Sequence, residues 1–247
     1  MILRRIASHL KQQHWTGVFI ELVIVILGVF IGLQVDNWNQ ARAEHNRLDQ
    51  QLAAFESELE TNLADIKDYR TFADSQISAI NEIRATLRSG KKNTDPRHFN
   101  TLLFRIIKVQ DLHPELSAYR DLADAGGLRR LRGTPLRRDI TRWESDLAWV
   151  QRLDRDALVH RDSIVLPYFG SHTSIAASVE NSSDIKARGF APTHFRNNLD
   201  QLADNEGFEN MLTLRFVIET QILDTSKRLE QSTETLIATL KKREARQ

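Results

Sequence analysis

From Leu22 to Leu33 the chain is an unbroken apolar run, and between Gly17 and Val35 only Glu21 and Gln34 are strongly polar. Those nineteen residues, at about 1.5 Å each, make a helix of roughly 28 Å, close to the thickness of a bilayer's hydrocarbon core. Trp15 and Trp38 bracket the run. Indole rings favour the headgroup level, so the pair reads as two interface anchors. The pattern predicts a transmembrane helix over residues 15–38. Beyond it the apolar positions narrow to a stripe: Leu48, Leu52, Phe55, Leu59, Leu63, Ile66, Tyr69, Ala73, Ile77, Ile80, Ile83 and Leu87, mostly three and four apart. Neither Gly nor Pro occurs from Val35 to Ser89. The membrane helix is therefore expected to run on as one long amphipathic helix, with the narrow seam of a coiled coil or bundle, until Gly90 stops it.

The remaining periodic segments are shorter. Asp95-Pro96 is an N-cap and first-turn pair for a second helix through Phe99, Leu102, Leu103, Ile106 and Val109. Pro114 is expected to open a third, carrying Leu116, Tyr119, Leu122 and Ala123 and ending at Gly126-Gly127. A fourth is expected from Thr134-Pro135 to about Ser163, and a last one from about Gly207 to Arg246 with a patchier stripe. Between these two, residues 167–193 break the periodicity and are rich in Ser, Gly and Pro. They read as a long loop, the expected binding element of the domain. No strand pattern occurs. The expected fold is all-α: an N-terminal transmembrane helix continuing into a long helix that packs in an antiparallel helical bundle. Residues 1–14 form a short basic tail, 15–38 the span, and 39–247 the bundle with its insertion at about 167–193.

Inside the span, Gly28 and Gly32 form G-x-x-x-G, two positions without side chains on one face where a second helix can approach. Glu21 lies about one turn inside the apolar segment, where a carboxylate is costly unless it reaches the interface or meets a partner. Either it serves the helix's first turn or it contacts a basic group of a second membrane subunit. Gly28, Gly32 and Glu21 are thus the candidates for membrane-helix association, against an alternative in which the glycines are unused.

Charge sets the direction of insertion. Arg4, Arg5 and Lys11 precede the span, whereas Arg42 and Arg47 follow it among Asp36, Glu44 and Asp49. The positive-inside rule then places the N-terminus in the cytoplasm and the domain outside it, in the periplasm of a bacterial inner membrane. A cleaved signal peptide is the competing reading, with Ala41-Arg42-Ala43 as its processing site. That site lies beyond the polar stretch Asp36-Asn37-Trp38-Asn39, a gap that disfavours processing.

Thirty-four basic residues balance thirty-three acidic ones, a net charge of +1, which argues against nucleic acid as a partner. The absence of cysteine excludes disulfides and thiolate metal sites. His98, His113, His160, His172 and His194 stand in no metal-ligand spacing, and Asp156 with His160 reads as an ion pair sooner than a catalytic dyad. Neither a nucleophile elbow nor a phosphate-cradling glycine loop occurs. No catalytic, cofactor or metal residue is assigned. Arg129, Arg130, Arg132, Arg137 and Arg138, with Arg142 beyond, concentrate positive charge, but interleaved acids make this first a solvated face and second an anion or partner patch. Lys241, Lys242, Arg243 and Arg246 form a second cluster, suited either to a helix C-terminus or to anionic headgroups.

Two segments together resemble a family of uncharacterised bacterial single-pass membrane proteins defined only as a domain of unknown function. They are Phe19 to Asn39, FIELVIVILGVFIGLQVDNWN, and Tyr119 to Leu128, YRDLADAGGL, with Leu136-Arg137 and Trp143. The resemblance implies a membrane-anchored helical domain and no activity, cofactor or catalytic residue. Function is therefore expected to be non-enzymatic: association with the bilayer and with itself or another membrane protein, as a self-assembling protein or an accessory subunit of an envelope complex. The alternative is a ligand-binding, sensor-like module that signals through a partner, with a small molecule bound outside the cytoplasm.

Overall fold

The computed structural model describes residues 15–89 and 95–245, with side chains from Phe19 onward. Trp15's indole, the basic residues of the N-terminal tail, Gly90 and Arg246 lie outside the described residues. All regular structure among them is helical. In chain order the elements are α1 (Trp15–Arg88), α2 (Pro96–Ile107), α3 (Ser117–Asp124), α4 (Gly127–Arg130) and α5 (Pro135–His160). A π-helical segment, Arg161–Val165, leads into α6 (Leu166–His172), followed by α7 (Ile175–Val179), α8 (Ser183–Ala187), α9 (Leu199–Ala203) and α10 (Glu206–Glu244).

The chain divides into two compact units, residues 1–52 and 53–247. In the first, twelve large apolar side chains from Phe19 to Val35 are each more than half exposed, Phe19 at 65% and Leu27 at 51%. A helix apolar on every side is normally covered, either by a protein core or by lipid. By length and composition this one can cross a membrane, a criterion that a signal sequence also meets.

In the second unit, Phe55, Leu59, Ile66, Tyr69, Ala73, Ile80 and Ile83 of α1 are buried, as the stripe predicts. Leu63 and Ile77 are only partly covered, and their neighbours Asn62 and Gln76 take buried positions instead. The reason is backbone accounting. Residues 108–116 are irregular, and their polar groups need partners. Asn62 supplies both halves of one peptide pairing: Nδ2 donates to the Glu115 carbonyl at 2.8 Å and Oδ1 accepts from the Glu115 N–H at 2.9 Å.

The same segment corrects the expectation that Pro114 opens a helix. α3 starts at Ser117, and its donors are satisfied from α1, where the Glu58 carboxylate accepts from Ala118 N–H at 2.7 Å and Tyr119 N–H at 3.0 Å. The other start signals hold. Asp95 accepts from Arg97 N–H at 2.9 Å, with Pro96 at the first position of α2. Thr134 Oγ1 likewise accepts from Arg137 N–H at 3.2 Å, with Pro135 beginning α5. The second helix stops at Ile107, two residues before Val109, because Lys108 turns extended (ψ 144°).

Between α3 and α4, Gly126 adopts the left-handed conformation (φ 76°), and a Cβ at Gly127 would lie 2.4 Å from Leu122 Cδ1 and 2.9 Å from its carbonyl oxygen. This is a corner that requires both glycines. Leu131, just past it, is buried.

Residues 167–193 are not the structureless loop expected. Arg161–Val165 is a π turn in which Leu166 N–H bonds to the Arg161 carbonyl five residues back, and the helix then resumes as α6. A single π turn shifts helical register, which lets Pro167 sit within the following helix despite its missing N–H. Phe169 of α6 enters the core with Phe99, Leu103, Ile106, Phe208 and Met211. Further along, Asn197 fastens the chain: its Nδ2 donates to Asn100 Oδ1 at 2.9 Å and Ser178 Oγ at 3.1 Å, while Oδ1 accepts from Ser174 N–H at 2.6 Å.

α10 begins at Glu206 behind an Asn205 cap that accepts from Phe208 N–H at 3.0 Å. Ion pairs tie it to α1: Lys241 to Glu60 at 2.5 Å, Lys67 to Glu234 at 3.3 Å, Arg70 to Glu230 at 2.7 Å and Arg84 to Glu209 at 3.8 Å. Numbers rising along α1 meet numbers falling along α10. α5 also lies against α10.

Candidate functional site

Three arrangements emerge from these helices. On the apolar part of α1, a Cβ at Gly28 or Gly32 would meet nothing within 4 Å, so both small positions are open. Glu21 is exposed, and Trp38 is 62% exposed with the Arg42 guanidinium 5.7 Å from its ring centroid. That cation over an indole face suits a side chain sitting where apolar and aqueous phases meet.

The second arrangement is a buried polar network that the apolar stripe does not foretell. Tyr69 of α1 donates its hydroxyl to Asp154 Oδ1 of α5, whose other oxygen accepts from Leu112 N–H at 3.1 Å. Burial, reinforced by Asp154, holds the Tyr69 phenol far above its ordinary range, and burial also raises Asp154 despite these bonds. On α10, Arg215 pairs with Glu219 at 2.7 Å, and Arg215 Nη2 donates to the Lys108 carbonyl at 2.7 Å. Burial lifts the Glu219 carboxyl to about 7 against the pull of Arg215. His160 is buried beside this pair; burial, then Arg215, lowers its pKa. Asp156, four residues away, stays exposed, so the two do not form the pair their spacing suggests. Gln76 Nε2 completes the set by donating to the Arg105 carbonyl at 3.0 Å. No substrate path to these groups is evident, and each has a structural partner, so the network reads as positioning.

What it positions is the third arrangement. The backbones of Arg105 and Lys108 are held by Gln76 and Arg215, and both side chains line a cleft of about 400 Å³. Phe72 of α1 and Phe104 of α2 form part of its wall, and the opposite side is supplied by residues 178–184, within the predicted binding element. A second cleft, of about 540 Å³, shares Phe72 and Lys108 and adds Arg161.

The arginine patch is placed elsewhere. Arg129 and Arg130 lie on α4, Arg132 on the turn after it, and Arg137 and Arg138 on the first turn of α5. Arg137 donates to Thr141 Oγ1 at 2.7 Å and reaches Glu144 at 3.5 Å, which itself accepts from the Tyr119 hydroxyl at 2.6 Å. None of the five lines either of these clefts. Among the described residues no three His, Asp or Glu side chains form a group able to hold a metal. His98 meets Glu82 at 2.5 Å, His113 meets Asp111 at 2.7 Å, and His172 stacks on Tyr168 with ring centroids 4.3 Å apart.

Sequence reasoning had no access to the cleft. Arg105 and Lys108 sit on one helix end, while their neighbours come from residues some seventy positions later; the only signal was the Ser-rich composition of 167–193. Comparison with family models, curated proteins and solved structures finds no match to this chain.

Proposed function

We propose that this is a membrane-anchored helical protein that acts without catalysis, by associating with itself or with another membrane protein. The observation that carries the reading is the collar of twelve exposed apolar side chains from Phe19 to Val35. Leaving them in water would cost on the order of 1.5 kcal/mol or more for each large side chain; a bilayer covers them all. Gly28 and Gly32 lie one turn apart within that collar, with no neighbour of their own, which suits close approach of a second helix. The basic N-terminal tail then lies on the cytoplasmic side of a bacterial inner membrane and the helical domain in the periplasm. The opposed numbering of the α1 and α10 ion pairs supports an antiparallel bundle for that domain.

The test is extraction of the full chain in mild detergent, followed by mass determination with wild type and Gly28→Leu. A homo-oligomer that the substitution dissociates, or a stoichiometric membrane partner, is the expected result. A monomer with nothing attached would overturn the association reading. Release of the chain from alkali-washed membranes, cut after Ala43, would overturn the anchor itself.

A further inference from the structure

We infer that the cleft between α1, α2 and residues 178–184 binds a small organic anion, one carrying a phosphate or carboxylate beside a ring. This site does not depend on the membrane reading. Arg105 and Lys108 stand one helical turn apart on its wall, and among the described residues neither has a carboxylate partner. The negative end of the α2 dipole accounts for cations at this place. It does not account for what faces them. Asn181 Nδ2 is buried without a hydrogen-bond partner on the same cleft, and a buried donor of this kind is costly to leave unmet. Ser182 adds a hydroxyl, and Asp184 is the one carboxylate of the lining, so the cleft carries a net positive charge.

Phe72 and Phe104 give the same cleft apolar, aromatic surface, and Lys108 Nζ lies 4.5 Å from the Phe104 ring centroid. A ligand anion arriving at Lys108 therefore places its body against a ring face. At about 400 Å³ the cleft falls at the small end of ligand sites. It is also preorganised. Gln76 and Arg215 hold the backbone of the two cationic residues from beneath, and Asn197 anchors Ser174 and Ser178 on the opposite side. Binding then requires little ordering of the chain.

The experiment is calorimetric titration of the full chain in detergent with phenyl phosphate, benzoate, inorganic phosphate and uncharged benzyl alcohol. Saturable binding of phenyl phosphate, tighter than that of inorganic phosphate and absent for benzyl alcohol, is expected. Benzoate binding alongside it identifies a site for organic anions in general; its failure identifies a phosphate site. Lys108→Ala is expected to weaken binding about tenfold and Asn181→Ala by about threefold or more. Arg105→Ala is a second, independent variant at an exposed position, with melting curves of all three as the folding control. No saturable binding of either ring-bearing anion, or unchanged affinity in folded Lys108→Ala and Arg105→Ala, would overturn the assignment.

Discussion

Arg215 and Glu219, one turn apart on α10, form an ion pair of 2.7 Å with only 1% and 3% of their side chains exposed. Breaking such a pair from one side strands a buried charge, whereas replacing both partners with apolar residues does not. Arg215→Met is expected to cost about 3 kcal/mol or more in urea unfolding. Arg215→Met combined with Glu219→Leu is expected to recover much of that loss. A double variant as unstable as the single one would show that the Lys108 carbonyl contact, not the stranded carboxylate, is what matters.

Glu219 also makes stability depend on pH. Its folded pKa of about 7 lies above the ordinary 4.5, so the native state binds this proton more tightly than the unfolded chain does. The stability from this group is complete below pH 4.5 and is lost as pH rises through about 7. His160 works oppositely: its lowered pKa makes folding less favourable as pH falls below its usual 6.5. Subtracting Glu219→Gln from wild type isolates the first effect. That difference is expected to shrink by up to about 3 kcal/mol between pH 4.5 and 7; a flat difference would mean that Glu219 titrates normally.

The corner at Gly126-Gly127 predicts a steric penalty. A Cβ at Gly127 meets both the side chain and the backbone of Leu122, so Gly127→Val is expected to lower Tm sharply, by roughly 2 kcal/mol or more of stability. Gly126→Ala faces a positive φ and the movable Arg129 side chain, and its expected cost is nearer 1 kcal/mol. An unchanged melting temperature for Gly127→Val would remove the corner as a structural element.

Glu58 caps a helix that lies about sixty residues further along the chain. Glu58→Ala is expected to cost about 1 kcal/mol and to raise amide exchange at Ala118 and Tyr119. Glu58→Gln keeps one acceptor oxygen and should protect one of the two amides. Exchange rates unaffected by either substitution would disconnect the cap from α3 stability.

Much of the helical layout was legible because local rules acted alone: Asp95 with Pro96, Thr134 with Pro135, and the stripe from Phe55 to Ile83. Failures cluster where a distant group overrides a local signal. Pro114 reads as a helix start, yet α3 takes its cap from Glu58. Pro167 reads as a break, yet the π turn before it absorbs the missing donor. The patchy stripe of the last helix has the same origin, since Arg215, Glu219, Thr225, Ser226, Ser232 and Thr233 occupy buried positions that a hydrophobicity scan leaves blank. The buried Tyr69–Asp154 contact spans 85 positions, and no period in the chain encodes it. Of the candidate site, the Ser-rich stretch was visible and the two cations were not, because only the fold brings them together.

The π turn at Arg161–Val165 makes chain length itself a constraint at this point. A π turn is an α-helix with one residue too many, so deleting any one of the five would restore an ordinary helix and rotate everything downstream by about 100°. Phe169 would leave the interior, and the Ser-rich arm that follows would be aimed away from Phe72 and Phe104. Substitutions here are gentle by comparison. Length variation among related chains should therefore avoid this stretch and accumulate instead at exposed turns, making a single missing codon more damaging than most missense changes.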